Sequence, residues 1–189
     1  SVSGYAMANW KFKGSELFFS ILIIGAFIPY QVMIYPIVIV LRELGIYGTL
    51  TGLVIVHTIF GMPILTLLFR NYFASLPEEL FKAARIDGAN FWQIYFRIML
   101  PMSLPIFVVA MILQVTGIWN DFLFGVVFTR PEYYPMTVQL NNIVNSVQGV
   151  KEYNVNMAAT LLTGAVPLIV YFISGRLFVR GIAAGAVKG

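Results

Sequence analysis

Four stretches of this chain are each apolar and long enough to cross a bilayer, and nothing else in the sequence restricts its fold as strongly. They cover about Leu17–Leu41, Leu50–Phe69, Met102–Val127 and Met157–Phe178. A helix needs roughly 20 mostly apolar residues to span the hydrocarbon layer. The runs lack the alternation of barrel strands, and irregular backbone cannot face lipid, so helices are expected. Only 11% of the residues are charged, against about 25% in ordinary soluble domains. The expected architecture is all-α, a polytopic transmembrane helical bundle, and one membrane domain over residues 1–189. The chain shows no internal repeat, low-complexity run or separate soluble domain. Its opening, SVSGYAMANWKFKG, reads as a linker leaving an earlier helix, so the first helices of the natural protein are expected to be missing. No cleavable signal peptide is recognised there.

The basic residues give an orientation. Lys11, Lys13, Arg70, Lys82, Arg85, Arg97, Arg176, Arg180 and Lys188 fall on one side of the four runs, and only Arg42, Arg130 and Lys151 on the other. Nine against three places the larger set in the cytoplasm, together with both ends of the segment. The net charge of +4 is scattered along membrane edges, which is no nucleic-acid footprint. With no cysteine, disulfides and thiolate metal sites are excluded. One histidine and no intramembrane carboxylate leave no constellation for intramembrane catalysis, so no enzyme activity is expected. The middles of the runs hold no Asp, Glu, Lys or Arg to relay protons or bind ions. Uphill transport would draw its energy from elsewhere, and the chain has no G-x-x-x-x-G-K-[ST] loop of its own.

Between the second and third runs lies a charged, amphipathic island, Leu76–Pro101. Ser75 and Glu78 have capping-box spacing at the start of a first short helix, and Glu78 and Glu79 suit the positive end of its dipole. Leu80, Ala83, Ala84 and Ile86 form an expected apolar face. Asp87-Gly88 signals a turn, and Phe91, Trp92, Ile94, Tyr95 and Ile98 make a second helix greasy on one side. Two readings are open: an interfacial helix lying on lipid headgroups, or a knob for a protein groove. The paired carboxylates, the small Ala-Ala surface and the sharp break favour the knob. On the outer side, a short helix is expected near Met136–Val147.

Polar groups within the runs are candidates for a solute path. His57 offers a donor and an acceptor to a polar solute, or makes one interhelical hydrogen bond. Gln114, Trp119 and Asn120 sit near the outer end of the third run, suited either to stacking on and hydrogen bonding to a solute or to interface anchoring and capping.

The island resembles the EAA loop of permease subunits of binding-protein-dependent ABC importers. That pattern runs E-A-A, three residues, G, nine residues, I, one residue, L-P. Here Lys82-Ala83-Ala84, Gly88, Ile98 and Leu100-Pro101 stand at that spacing, with lysine where the pattern has its glutamate. Leu76-Pro77, Glu79-Leu80, Asp87-Gly88-Ala89, Phe96 and Pro105 extend the likeness to the carbohydrate-uptake branch. So do Gly4-Tyr5-Ala6, Phe12-Lys13-Gly14, Trp119-Asn120-Asp121-Phe122 and Phe178-Val179-Arg180-Gly181-Ile182, with the tail from Ala184 to Gly189. The resemblance covers essentially the whole chain. It implies a maltose-type, MetI-like permease with a type I core, in a bacterial or archaeal inner membrane. It also implies a second homologous permease, two ATPase subunits and an extracytoplasmic sugar-binding protein that would touch loops such as Arg130–Asn154. This chain would bind no cofactor, ATP and Mg being held by the ATPases. Glu78, Glu79, Lys82, Ala83, Ala84, Asp87, Gly88, Ala89, Leu100 and Pro101 would form the ATPase-coupling loop, and the cargo would be a sugar. The rival is an ATP-independent facilitator or channel for small polar solutes.

Overall fold

A computed structural model describes residues 1–10, 12–145 and 152–186, the last helix from residue 176 onward as backbone alone. The described chain is helical: α1 Val2–Asn9, α2 Ser15–Ala26, α3 Tyr30–Glu43, α4 Leu50–Ser75, α5 Glu78–Ile86, α6 Phe91–Ile94, α7 Leu100–Met102, α8 Leu104–Trp119, α9 Leu123–Phe128, α10 Met136–Val144 and α11 Tyr153–Ala186. A π-helical turn, Tyr95–Met99, joins α6 to α7. Among the described residues, two helices meet the length and hydropathy needed to cross a membrane, or up to four if each of two broken pairs is one span.

The breaks correct two expectations. The first apolar run is not one helix: α2 ends at Ala26 and α3 begins at Tyr30. Pro29 has no N–H to continue the ladder and pushes the residue before it away from helical geometry. Phe27 and Ile28 close the end with short bonds to Ile24 and Gly25 carbonyls. The third run is likewise shorter than Met102–Val127. Between α7 and α8 the chain turns by 74° at Ser103, just ahead of Pro105. Beyond Trp119 the helix stops, and the Asp121 carboxylate accepts from the Phe124 and Gly125 amides at 3.2 and 3.0 Å to start α9. The short helix α10 ends at Val144, earlier than the expected Val147, and residues 146–151 lie outside the described residues. The fourth run extends at both ends into α11.

The chain divides into two compact units, residues 1–28, 61–112 and 174 onward in the first, and 29–60 with 113–173 in the second. The first unit's core is aromatic: Tyr5, Phe69, Phe73, Phe81, Ala84, Ile94, Tyr95, Met99, Ile106, Val109 and Ala110 are buried together. Tyr5 is its centre, fully buried and with ring centroids 4.8 to 5.8 Å from Phe91, Tyr95 and Phe73. Its hydroxyl accepts from Trp10 Nε1 at 2.7 Å, so the buried polar tip is satisfied. The second unit packs Leu41, Leu53, Val56, Phe124 and Phe128.

Much apolar surface remains uncovered. In the Tyr153–Gly175 part of α11 only 6% of the most apolar window is buried. A helix greasy on all sides and so little covered by its own chain belongs against lipid or other helices.

Candidate coupling site

The island folds as two short helices joined by a turn whose backbone N–H groups are all engaged. In α5, Phe81 and Ala84 face inward and are buried, Phe81 meeting Trp10 edge-on at 5.6 Å. Arg85 lies over the Trp10 ring at 4.9 Å. The helix ends in a Schellman-type closure: Gly88 N–H donates to Arg85 O at 3.1 Å and Ala89 N–H to Ala84 O at 3.0 Å. Gly88 sits at φ 79°, the left-handed region that only glycine enters at no steric cost. The next helix starts two residues later with a complete capping box, Asn90 Oδ1 accepting from Gln93 N–H and Gln93 Oε1 from Asn90 N–H, at 3.0 and 2.9 Å. A connection with no free donors holds its two helices at a fixed angle. Asn90→Ala is expected to cost about 1 kcal/mol, the usual worth of such a cap, visible as a small fall in the melting temperature of the purified protein. An unchanged temperature would mean that the box contributes nothing.

Here the structure departs from the expected N-terminal cap. Ser75 ends α4 and donates its hydroxyl back to Tyr72 O at 2.7 Å, while Pro77 occupies the cap position of α5 with no side-chain bond. Since α4 runs on to Ser75, only Leu76 and Pro77 separate the two helices. The expected apolar face is also redistributed: Ala84 alone points inward, and Leu80 and Ile86 are exposed, Ile86 at 86%. Phe81, which the sequence did not single out, takes the inward place.

Facing outward are Glu78, Glu79, Lys82, Ala83, Ile86, Asp87 and Gly88. Lys82, at the motif's glutamate position, pairs with Glu78 at 3.2 Å one turn back. Both are exposed, so the pair contributes little to stability. Among the described residues it leaves Glu79 as the carboxylate of that helix with no ion pair. Trp92 and Phe96 are also exposed and stack at 5.9 Å with 22° between their rings. Each also meets a neighbouring ring, Trp92 that of Phe91 and Phe96 that of Tyr95, both at 5.0 Å, yet more than half of each stays open to a partner. Leu100 and Pro101 lie past the π turn; Tyr72 OH donates to Met102 O and Ser103 Oγ to Leu100 O at 2.8 Å, satisfying carbonyls freed at the bend.

The solute-path candidates lie in the second unit, and His57, Trp119 and Asn120 engage separate partners. His57 Nε2 is 3.6 Å from Asp121 Oδ2, with its ring 5.5 Å from Phe124. Trp119 Nε1 donates to Thr163 O at 3.0 Å, Gln114 is half-buried, and Asn120 is exposed, its amide closing the last turn of α8 on Thr116. Asp121 is the partner of His57 that the sequence could not supply, 64 positions along the chain.

Residues 1–184 match the family described as "Binding-protein-dependent transport system inner membrane component". The chain belongs to that family. A probable ABC transporter permease protein of Pyrococcus horikoshii is 41% identical over 99% of this chain and 68% of its own length. An osmoprotective compounds uptake permease of Synechocystis is 35% identical over 98% of this chain and 62% of its own. The alpha-glucoside transport system permease of Rhizobium meliloti is 34% identical over 99% of this chain and 50% of its own. The chain thus spans between half and about two thirds of these permeases. The crystal structure of a bacterial ABC transporter involved in alginate import matches with TM-score 0.66 at 23% identity, over 99% of this chain and 67% of that one. That likeness shares the helical permease fold.

Proposed function

We propose that this permease is the membrane subunit of an ATP-driven importer that moves a sugar inward, coupled to its ATPases through Leu76–Pro101. The observation that carries the reading is the rigid island: two helices locked by Schellman closure and capping box, backed by Phe81 and Ala84, presenting Glu79, Ala83, Ile86 and Asp87 outward. A rigid element transmits displacement, whereas a floppy one absorbs it. Two ATPase subunits, holding ATP and Mg, close on nucleotide binding and carry the island with them. A second permease completes the pathway, and an extracytoplasmic binding protein delivers the solute. Turning a two-state bundle from 1:99 to 99:1 takes about 5.5 kcal/mol of differential binding, which must enter through this contact. Ala84 takes part from behind, as packing that holds Ala83 and Gly88 in place. His57, Gln114, Trp119 and Asn120 are proposed to line the outer part of the solute path.

Relatives named for alpha-glucoside, xylose/arabinose and arabinooligosaccharide transport support a sugar as cargo. The test is reconstitution of the full-length permeases with their ATPases in vesicles, supplied with the binding protein and labelled sugars. Accumulation that requires ATP and the binding protein is expected. Downhill equilibration by the permease alone would favour the facilitator instead.

A further inference from the structure

The two halves of the Leu76–Pro101 island carry opposite charge. Glu78, Glu79 and Asp87 all stand on α5 or at its end, whereas the helix Phe91–Met102 has no carboxylate and one cation, Arg97. That helix is fixed on one side. Ile94, Tyr95 and Met99 are buried, with the Tyr95 ring 5.4 Å from that of Tyr5. Its other side presents two adjacent rows. Trp92 and Phe96 form one, 54% and 57% exposed and stacked on each other; Gln93 and Arg97, both exposed, form the next. Among the described residues, no carboxylate lies within 4.0 Å of Arg97. Within the same residues the indole N–H groups of Trp10 and Trp119 are bonded, and that of Trp92 is not.

Geometry sets this face along the membrane surface. The helix meets α8 at 74°, so it runs close to perpendicular to the span it enters. α8 has 16 residues and rises about 24 Å, short of the roughly 30 Å hydrocarbon layer. With its outer end at the far interface, its inner end cannot stand clear of the leaflet. Phe91–Met102 therefore leaves along the lipid and not out into water. Met102 and Leu104, on either side of the bend, are exposed as well, so the open apolar surface continues onto the span. We propose that Phe91–Met102 lies in the bilayer interface on the side that the charge distribution assigns to the cytoplasm. Trp92 and Phe96 sit among the upper acyl chains, and Arg97 binds the phosphate of an anionic lipid. Tryptophan suits that depth because its ring is apolar and its N–H reaches headgroup oxygens. A cationic helix without carboxylates is drawn to a negative leaflet, while the carboxylates of α5 are repelled by it. Lipid surface and protein knob are thus met by different helices of one island. The lipid contact goes beyond the importer reading and holds for the permease whatever drives it.

The test reads Trp92 fluorescence in the complete transporter, reconstituted in vesicles of phosphatidylcholine and phosphatidylglycerol with one of the two lipids brominated. The signal lost in Trp92→Phe isolates this residue from the other tryptophans. Bromine high on the acyl chain should quench it strongly, bromine near the bilayer centre weakly, and aqueous acrylamide little. Brominated phosphatidylglycerol should quench with up to about five-fold higher affinity than brominated phosphatidylcholine. That preference should vanish in Arg97→Gln and persist in Arg97→Lys. Phe96→Trp in the Trp92→Phe background moves the reporter one turn and should be quenched alike. Quenching by acrylamide and not by lipid overturns the proposal. So does lipid quenching that is present in the isolated permease and lost once the ATPase is added, which would assign this face to the protein contact. Equal quenching by the two lipids overturns the anionic site at Arg97.

Discussion

Replacing Gly88 by valine is expected to cut ATP-dependent uptake at least ten-fold while leaving the amount of protein in the membrane unchanged. Gly88 is the pivot of the island at φ 79°. A left-handed conformation costs an ordinary residue about 1–2 kcal/mol, and β-branching makes it worse. An added Cβ would meet nothing within 4 Å, so the strain is purely conformational. The chain can relieve it only by opening the closure that fixes α5 against α6. Gly88→Asn should be nearly silent, since asparagine tolerates this region; Gly88→Ala should fall between. Uptake and ATP hydrolysis measured side by side read the effect, with hydrolysis continuing as transport fails. Normal coupling in the valine variant would contradict a rigid lever.

The second large effect is expected at Gly4. A Cβ there would lie 2.6 Å from Phe69 Cβ and 2.7 and 2.9 Å from the Arg70 nitrogen and Phe69 carbonyl carbon. Two of these atoms are backbone of α4 and cannot rotate away. Close helix approach over a small residue is a common packing device in membranes. Even Gly4→Ala must push α1 off α4 and lift Tyr5 out of the aromatic core around Phe73 and Phe91. Overpacking typically costs about 1–3 kcal/mol, and the upper end is expected here. Thermal unfolding in detergent should show a clear drop in Tm, together with less protein in the membrane. An unchanged Tm would mean that the α1–α4 contact is not needed for stability.

The apolar runs were legible because some twenty apolar residues in a row rarely serve anything but a membrane span. Their interruptions were harder to read. Pro29 was visible, but Pro63 sits inside continuous α4 and Pro167 inside α11, so proline alone does not tell a break from a tolerated kink. Capping shows the same degeneracy. The spacing of a capping box occurs at Ser75/Glu78 and again at Asn90/Gln93, and only the second forms. Which is used depends on where α4 ends, and no local signal marks that. The Asp87-Gly88 turn was readable because a single residue's stereochemistry decides it. The inward role of Phe81 was not, since it depends on Trp10, distant in sequence. The pairing of His57 with Asp121 was hidden for the same reason.

Coupling of this kind requires an ATPase to grip the outward face of α5. Residues 1–189 hold no cysteine, so a thiol introduced among them has no native neighbour within this stretch. In the assembled transporter, Ala83→Cys should cross-link to the ATPase subunit through a short thiol-to-amine reagent, with a yield that changes on adding ATP. Tyr133→Cys, on the face that the charge distribution assigns to the outside, should give no such product. No cross-link from Ala83→Cys, Glu79→Cys or Ile86→Cys, with each thiol still reactive toward a small maleimide, would contradict that grip.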